Sequence, residues 1–237
     1  MLVILSSAHD AAARTIAAAW APWDAVVCTP GDMSTRGWRY YVGAPKAGAA
    51  VIDGHSVPAT AITGVLTRFP AVQPEMLAHI AAKERNYVAA EMTAFLIAFI
   101  SALPCRMLNR PTAGGLCGPA WRLEQWIRAA TRAGIPVLHR RRNVRLNAPA
   151  ELEADDSKEL TVIGDRVFGT AKDHPHLSDW ARSLARTAGV GMLGLGFTQH
   201  TTGFVLAGVN PSPDLDTPER LDAAREFLLS PAGGARK

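Results

Sequence analysis

The chain has 237 residues, 48% apolar and 19% charged, enough for one large core or two small ones and too apolar for a disordered protein. Its net charge of +4 and pI near 9.2 favour anionic ligands without marking a nucleic-acid-binding surface. Three widely spaced cysteines, Cys28, Cys105 and Cys117, form neither a zinc pattern nor a disulfide framework, so a reducing cytoplasm is expected. The opening Met1–Leu5 lacks the basic stretch and length of a signal peptide, and the longest apolar run, Met92–Pro104, is too short to span a bilayer.

In chain order, Leu2–Leu5 is an unbroken apolar run bounded by Ser6, Ser7 and Asp10, the pattern of a strand buried on both faces of a mainly parallel sheet. Asp10 or a nearby Ser caps a helix over Ala11–Trp20, and Ala25–Cys28 is a second buried strand stopped by Thr29-Pro30-Gly31-Asp32. This rhythm predicts an α/β sheet with right-handed crossovers. Trp38–Val42 and Ala49–Ile52 are expected to pair as a hairpin, with Asp53-Gly54 as a turn. Gly64–Thr67 is a strand ending at Arg68-Phe69-Pro70, and a long helix, in one or two pieces, is expected from Pro74 to Leu103. Arg68 stands at the carboxyl end of a parallel strand, where α/β sheets bind ligands; the structural alternative is an ion pair with Glu84 or Glu91.

A short strand then ends at Asn109, and a loop with Pro111, Gly114, Gly115, Gly118 and Pro119 leads to an amphipathic helix carrying Trp121, Leu123, Trp126, Ile127 and Ala130. Gly134 closes that helix and Ile135-Pro136-Val137 begins a strand. Five residues apart, Trp121 and Trp126 diverge around a helix, so each is expected on a different domain. The glycine loop lacks the Lys-Ser/Thr of a Walker motif and reads as a flexible connection. No sequence signal places a histidine beside Cys117 to make it a nucleophile. Beyond Val137, a basic block, His139–Arg145, faces an acidic one, Glu151–Asp156. Either both are solvated segments around a turn, or Arg140, Arg141 and Arg142 clamp a phosphate or peptide carboxylate. Leu160–Thr170 reads as a hairpin around Gly164-Asp165, Asp179–Ala188 as a helix, Gly191–Phe197 and Phe204–Val209 as strands, and Pro218–Leu229 as a helix before a loose tail.

Several of these stretches together resemble the ATP-grasp carboxylate–amine ligases, of the ribosomal S6 glutamate ligase and microviridin ligase type. The residues are Leu66-Thr67-Arg68-Phe69-Pro70, the strand end at Asn109 followed by a helix and Ala133-Gly134-Ile135-Pro136, the hairpin Val162-Ile163-Gly164-Asp165-Arg166-Val167-Phe168, and the corner Asn210-Pro211. The resemblance implies an α/β chain of two parts: a preATP-grasp-like parallel-sheet domain over 1–109, then a truncated ATP-grasp-like α+β lobe over 110–237. It also implies a ligand-binding set of Arg68, Asn109, Arg166 and Asn210, to which Arg140, Arg141, Arg142 and His200 are added.

The pattern departs from that family where the chemistry lies. The family places a whole small lobe, with its phosphate-binding lysines and adenine segment, where this chain has only Leu138–Leu160 and one lysine, Lys158. The Glu of the family's Glu-x-Asn metal motif is Gly208, and the Asp of the preceding strand falls near Gly196-Phe197. Asn210 alone would hold magnesium very weakly, since the ion needs hard anionic oxygens. The first expectation is therefore a reduced, non-catalytic relative with no cofactor and no metal. It would bind a peptide, a small carboxylate or amino acid, or a partner enzyme, as an accessory subunit in peptide or cofactor modification. Loss of a lobe bares strand edges, so a protein partner or homo-oligomer is expected, with no nucleic acid and no membrane. The alternative is an active ATP-dependent ligase with a rebuilt site for ATP and Mg2+. Asn210, Asp214 and Asp216, with Glu219, would then hold the metal, His200 would lie on a reactive face with Thr198 and Gln199, and no catalytic residue is assigned. Asp214–Glu219 is also simply what a helix N-terminus attracts.

Overall fold

The structure, a computed structural model, describes residues 1–137, 157–170, 174–201 and 203–231. The first sheet is parallel, in the order β2-β1-β5-β6, from Leu2–Leu5 (β1), Ala25–Cys28 (β2), Gly64–Thr67 (β5) and Arg106–Leu108 (β6). Between them lie helix α1 (Ala11–Ala19), a short helix α2 (Pro30–Met33), a small hairpin of β3 (Ala49–Ile52) and β4 (His55–Pro58), and helix α3 (Arg85–Ser101). After helix α4 (Leu123–Arg132) comes an antiparallel sheet in the order β10-β9-β7-β8. Its strands are Ser157–Ile163 (β7), Arg166–Gly169 (β8), Met192–His200 (β9) and Gly203–Asn210 (β10). Helix α5 (Pro175–Ala188) packs on it, and helix α6 (Pro218–Leu229) follows. The α/β class expected from the sequence is the one observed. Among the described residues no helix is long and apolar enough to cross a membrane.

Alternation along β1 explains how the cores are divided. Val3 and Leu5 point to a first core with Val65, Phe69, Leu96 and Phe99. Leu2 and Ile4 point to another, which Leu66 and Leu108 share with Ile163 and Met192 of the second sheet and Ala224 and Leu228 of α6. A further core, of Trp126, Leu160, Val162, Leu184 and Phe197, lies between α4, α5 and the antiparallel sheet.

Three local expectations are corrected. Ala49–Ile52 pairs with His55–Pro58 across Asp53-Gly54, not with Trp38–Val42, from which only Arg39 bridges to Ala49. The two-residue turn closes at lower entropic cost than a loop through Pro45. The long helix is replaced by a single 3-10 turn at Pro74–Met76 and an α-helix that starts only at Arg85, whose guanidinium donates to the Ala78 and Ile80 carbonyls and holds the intervening turns out of the helix. Of the strand expected to begin at Ile135, the described residues show the bridge from Val137 to Leu206, whose N–H donates to the Pro136 carbonyl, and the chain beyond Val137 lies outside the described residues. Trp121 and Trp126 meet edge-on with ring centroids 4.7 Å apart in one core, since Trp121 precedes the helix and the helical angle does not apply to it.

The glycine loop is packed, not a loose connection. Thr112 and Gly115 exchange backbone hydrogen bonds, Leu116 N–H donates to the Pro70 carbonyl at 2.8 Å, and the buried Cys117 thiol lies 3.6 Å from the Thr67 carbonyl. Burial pushes the Cys117 thiol upward, as it does Cys28 and Cys105, the last to about 11, so none is a poised nucleophile.

Two polar contacts tie these layers. Asn109, 1% exposed, donates from Nδ2 to the Met192 and Pro211 carbonyls, both at 2.8 Å, and accepts the Met192 N–H on Oδ1 at 2.7 Å. Arg68 pairs not with Glu84 or Glu91 but with Asp10, the N-cap of α1, at 2.6 Å from Nε to Oδ2. Burial would raise the Asp10 carboxyl, but the Arg68 hydrogen bond and the Ala13 amide outweigh it and hold the acid below its ordinary 3.8.

Asn109→Ala is expected to cost about 2–4 kcal/mol, because it strands several buried backbone groups, read as a lower urea midpoint with an unchanged slope. The depressed Asp10 carboxyl stabilises the fold above its unfolded value of 3.8, and the contribution disappears as pH falls through the lower folded value. Asp10→Asn should therefore lower the urea midpoint at pH 7, and the gap from the parent chain should close in strong acid.

Candidate functional site

The second sheet carries a bare trough. Its strands register as transverse rows, Glu159–Gly196–Gly208 and Thr161–Gly194–Asn210. The neighbouring residues Leu160, Val162, Leu195 and Phe197 face the core beneath, so these rows form the opposite face. A β-bulge between Leu206 and Gly208 shifts the phase of β10 by one residue and thereby brings Gly208 and Asn210 onto that face. With glycine at the centre of each row, the floor is backbone. A Cβ added at Gly208 would meet nothing within 4 Å, and one at Gly196 would come no closer than 3.8 Å to the Gly208 nitrogen.

The chain after β10 supplies the rim. Asn210 Oδ1 accepts the Ser212 N–H at 2.9 Å, turning the corner towards Pro213, Asp214 and Asp216. Thr217 caps α6, and Asp216 pairs with Arg220 at 2.6 Å, so part of the acidic stretch does serve the helix start. Asp214, 79% exposed, reaches Arg68 at 3.5 Å. The resulting cleft encloses about 490 Å³, within the range of small-ligand pockets.

The candidates from the sequence divide accordingly. Arg68, Asn109, Asn210, Asp214 and Asp216 converge: Arg68 touches Asp214, Asn109 holds the Pro211 carbonyl, and the other three line the cleft. His200 lies at the far end of β9, beside the Thr201 hydroxyl at 3.2 Å. Arg166 opens β8 and pairs with Glu226 of α6. Arg140, Arg141 and Arg142 lie outside the described residues. Sequence reasoning missed Glu159, Thr161, Gly194 and Arg220 as cleft residues. The alternation along β7 and β9 carried the signal for the first three; nothing local marked Arg220.

Magnesium and a nucleotide fit this trough poorly. Gly196 and Gly208 offer no side-chain oxygen, and Asn210 offers a single neutral one, which already accepts the Ser212 N–H. Among the described residues no three or more His, Cys, Asp or Glu side chains are grouped to hold a metal ion. The carboxylates on the rim would repel a triphosphate.

A second groove, of about 480 Å³, runs between β8 and α5 and is lined by Val167, Phe168, Gly169, Pro175, Ser178 and Arg182. Strand β8 ends the sheet, so its outer backbone groups have no strand partner among the described residues.

The sequence matches no protein-family model, and no curated protein matches it. Solved structures do match. The macrocyclase MdnC of Microcystis aeruginosa MRC, bound with the precursor peptide MdnA, superposes with a TM-score of 0.70 at 11% identity, covering 97% of this chain and 99% of that one. A RiPP-associated ATP-grasp ligase of Chryseobacterium gregarium, in complex with ADP and a leader and core peptide, gives 0.68 at 9% identity over 96% of both chains. The macrocyclase MdnB of Microcystis aeruginosa MRC gives 0.69 at 15% identity, covering 96% of this chain and 98% of that one. At such identities the likeness is one of fold: this chain has the ATP-grasp ligase fold.

Proposed function

We propose that this chain is a non-catalytic ATP-grasp-fold protein that binds a peptide and serves as an accessory subunit in peptide modification. The observation that carries the reading is the pairing of Gly208 with Gly196. The resemblance assigns one metal carboxylate to Gly208 and the other near Gly196-Phe197, and Gly208 and Gly196 sit directly opposite each other, as two ligands of one ion would. Both are glycine, which leaves backbone where phosphoryl transfer needs charge neutralisation. In this reading the segment 1–109 is a supporting domain and 110–237 the ligand-bearing lobe, with a shared core between them. The chain works with a protein partner, an enzyme or a second copy of itself.

Peptide binding is supported by the groove beside β8. Among the described residues the outer edge of β8 pairs with no strand and can offer main-chain hydrogen bonds to an extended segment, and the Val167 and Phe168 lining offers apolar contact. MdnC and the Chryseobacterium ligase were both solved with peptides bound.

One observation favours a rebuilt ligase instead: Asn210, Asp214, Asp216 and Glu159 share one cleft. The two readings separate on the thermal midpoint with and without millimolar Mg-ATP. A ligand at about 100 times its dissociation constant stabilises by roughly 2.7 kcal/mol, a clear shift. The expected result is no shift, and a shift that Asn210→Ala abolishes would establish the ligase. For the peptide, selection from a phage-displayed random library should enrich binders that Ser178→Trp, which fills the β8 groove, no longer retains. Equal retention by that variant would exclude the groove.

A further inference from the structure

The trough combines features that together ask for a ligand. Its lining carries three carboxylates, Glu159, Asp214 and Asp216, against one guanidinium, Arg220. Counting Arg68 together with its nearer partner Asp10 leaves two negative charges in excess within a chain of net charge +4. The local sign is thus opposite to that of the whole protein. Glu159 forms no ion pair among the described residues. Independently of the acids, Thr161 is 4% exposed and lines the same cleft, yet its hydroxyl has no hydrogen-bond partner among the described residues. The hydroxyl oxygen is not sealed off from the cleft, so a ligand donor can reach it and pair with it. Below these groups the floor is the flat backbone of Gly196 and Gly208, to which a planar group can approach closely.

We infer that the glycine trough binds a guanidinium group, the side chain of an arginine within a peptide. A guanidinium is planar, is less strongly hydrated than an ammonium, and directs several N–H donors in its plane. Lying on the Gly196–Gly208 floor, it would present those donors sideways to Glu159 and the Thr161 hydroxyl on one side and to Asp214 and Asp216 on the other. Carboxylates accept such donors in bidentate, charge-assisted pairs. The inference rests on the reading of the trough as a site that does not hold a nucleotide.

The test is an NMR titration of the 15N-labelled full chain with N-acetyl-arginine N-methylamide, its neutral citrulline isostere, free L-arginine and Mg-ATP. The arginine derivative is expected to shift the Gly194, Gly196 and Gly208 amides saturably, with the citrulline compound weaker by about tenfold or more, since the charge-assisted pairs are lost. Gly208→Leu fills open space and should keep the thermal midpoint while abolishing those shifts; Glu159→Gln should weaken them. Equal binding of citrulline, or shifts that survive Gly208→Leu, would overturn the inference. Tighter binding of free arginine than of the blocked residue would overturn the peptide source. Absence of arginine binding together with absence of Mg-ATP binding would sink this inference alone, whereas Mg-ATP shifts centred on the same glycines would sink the proposed function with it.

Discussion

One buried carboxamide does for this fold what a domain linker does for others. Asn109 ends the parallel sheet, and its side chain grips the first residue of β9 through both N–H and carbonyl while also holding the carbonyl of Pro211 beyond β10. The two sheets are thereby fixed at the point where the cleft opens. Arg68 acts at the same junction: its backbone N–H meets the Leu5 carbonyl, its guanidinium holds the α1 cap, and its far nitrogen reaches the cleft rim at Asp214. A polar side chain buried this completely is tolerable only because its hydrogen-bonding groups are satisfied.

That rigid junction gives the trough its meaning. A glycine on an exposed strand face usually weakens a sheet, for it contributes backbone entropy and no cross-strand packing. Three of them, Gly194, Gly196 and Gly208, occupy adjacent register positions here. Gly194 is constrained, since a Cβ there would come within 3.0 Å of Pro213 Cβ, but the other two have room for a side chain. The surface these glycines leave is a shallow floor walled by acids.

Much of the fold was legible because the pattern was strong and local. The runs Leu2–Leu5, Ala25–Cys28 and Gly64–Thr67, bounded by turn residues, are the parallel strands observed, and Pro218–Leu229 is a helix with the expected limits. Errors arose where a longer-range contact decided the outcome. Arg85 takes the carbonyls of Ala78 and Ile80, which no helical periodicity foretells. Arg68 stands out by its place at a strand end, but its partner Asp10 lies 58 positions away, where local pattern marks only a helix cap. The cleft was half legible: Asn210, Asp214 and Asp216 stood out by chemistry, whereas Glu159 and Thr161 join them only through the pairing of β7 with β9.

The core shared by both sheets has a consequence for biosynthesis. Leu2, Ile4 and Leu66 find their apolar cover on Ile163, Met192 and α6, segments that leave the ribosome well after the strands they protect. Until then that face of the parallel sheet has only Ala13, Ile16 and Trp20 of α1 as cover, and incompletely covered apolar surface is where a nascent chain is vulnerable to association with others. The early half thus completes its packing only when the later half arrives, and how long it stays incomplete is set by the pace of translation.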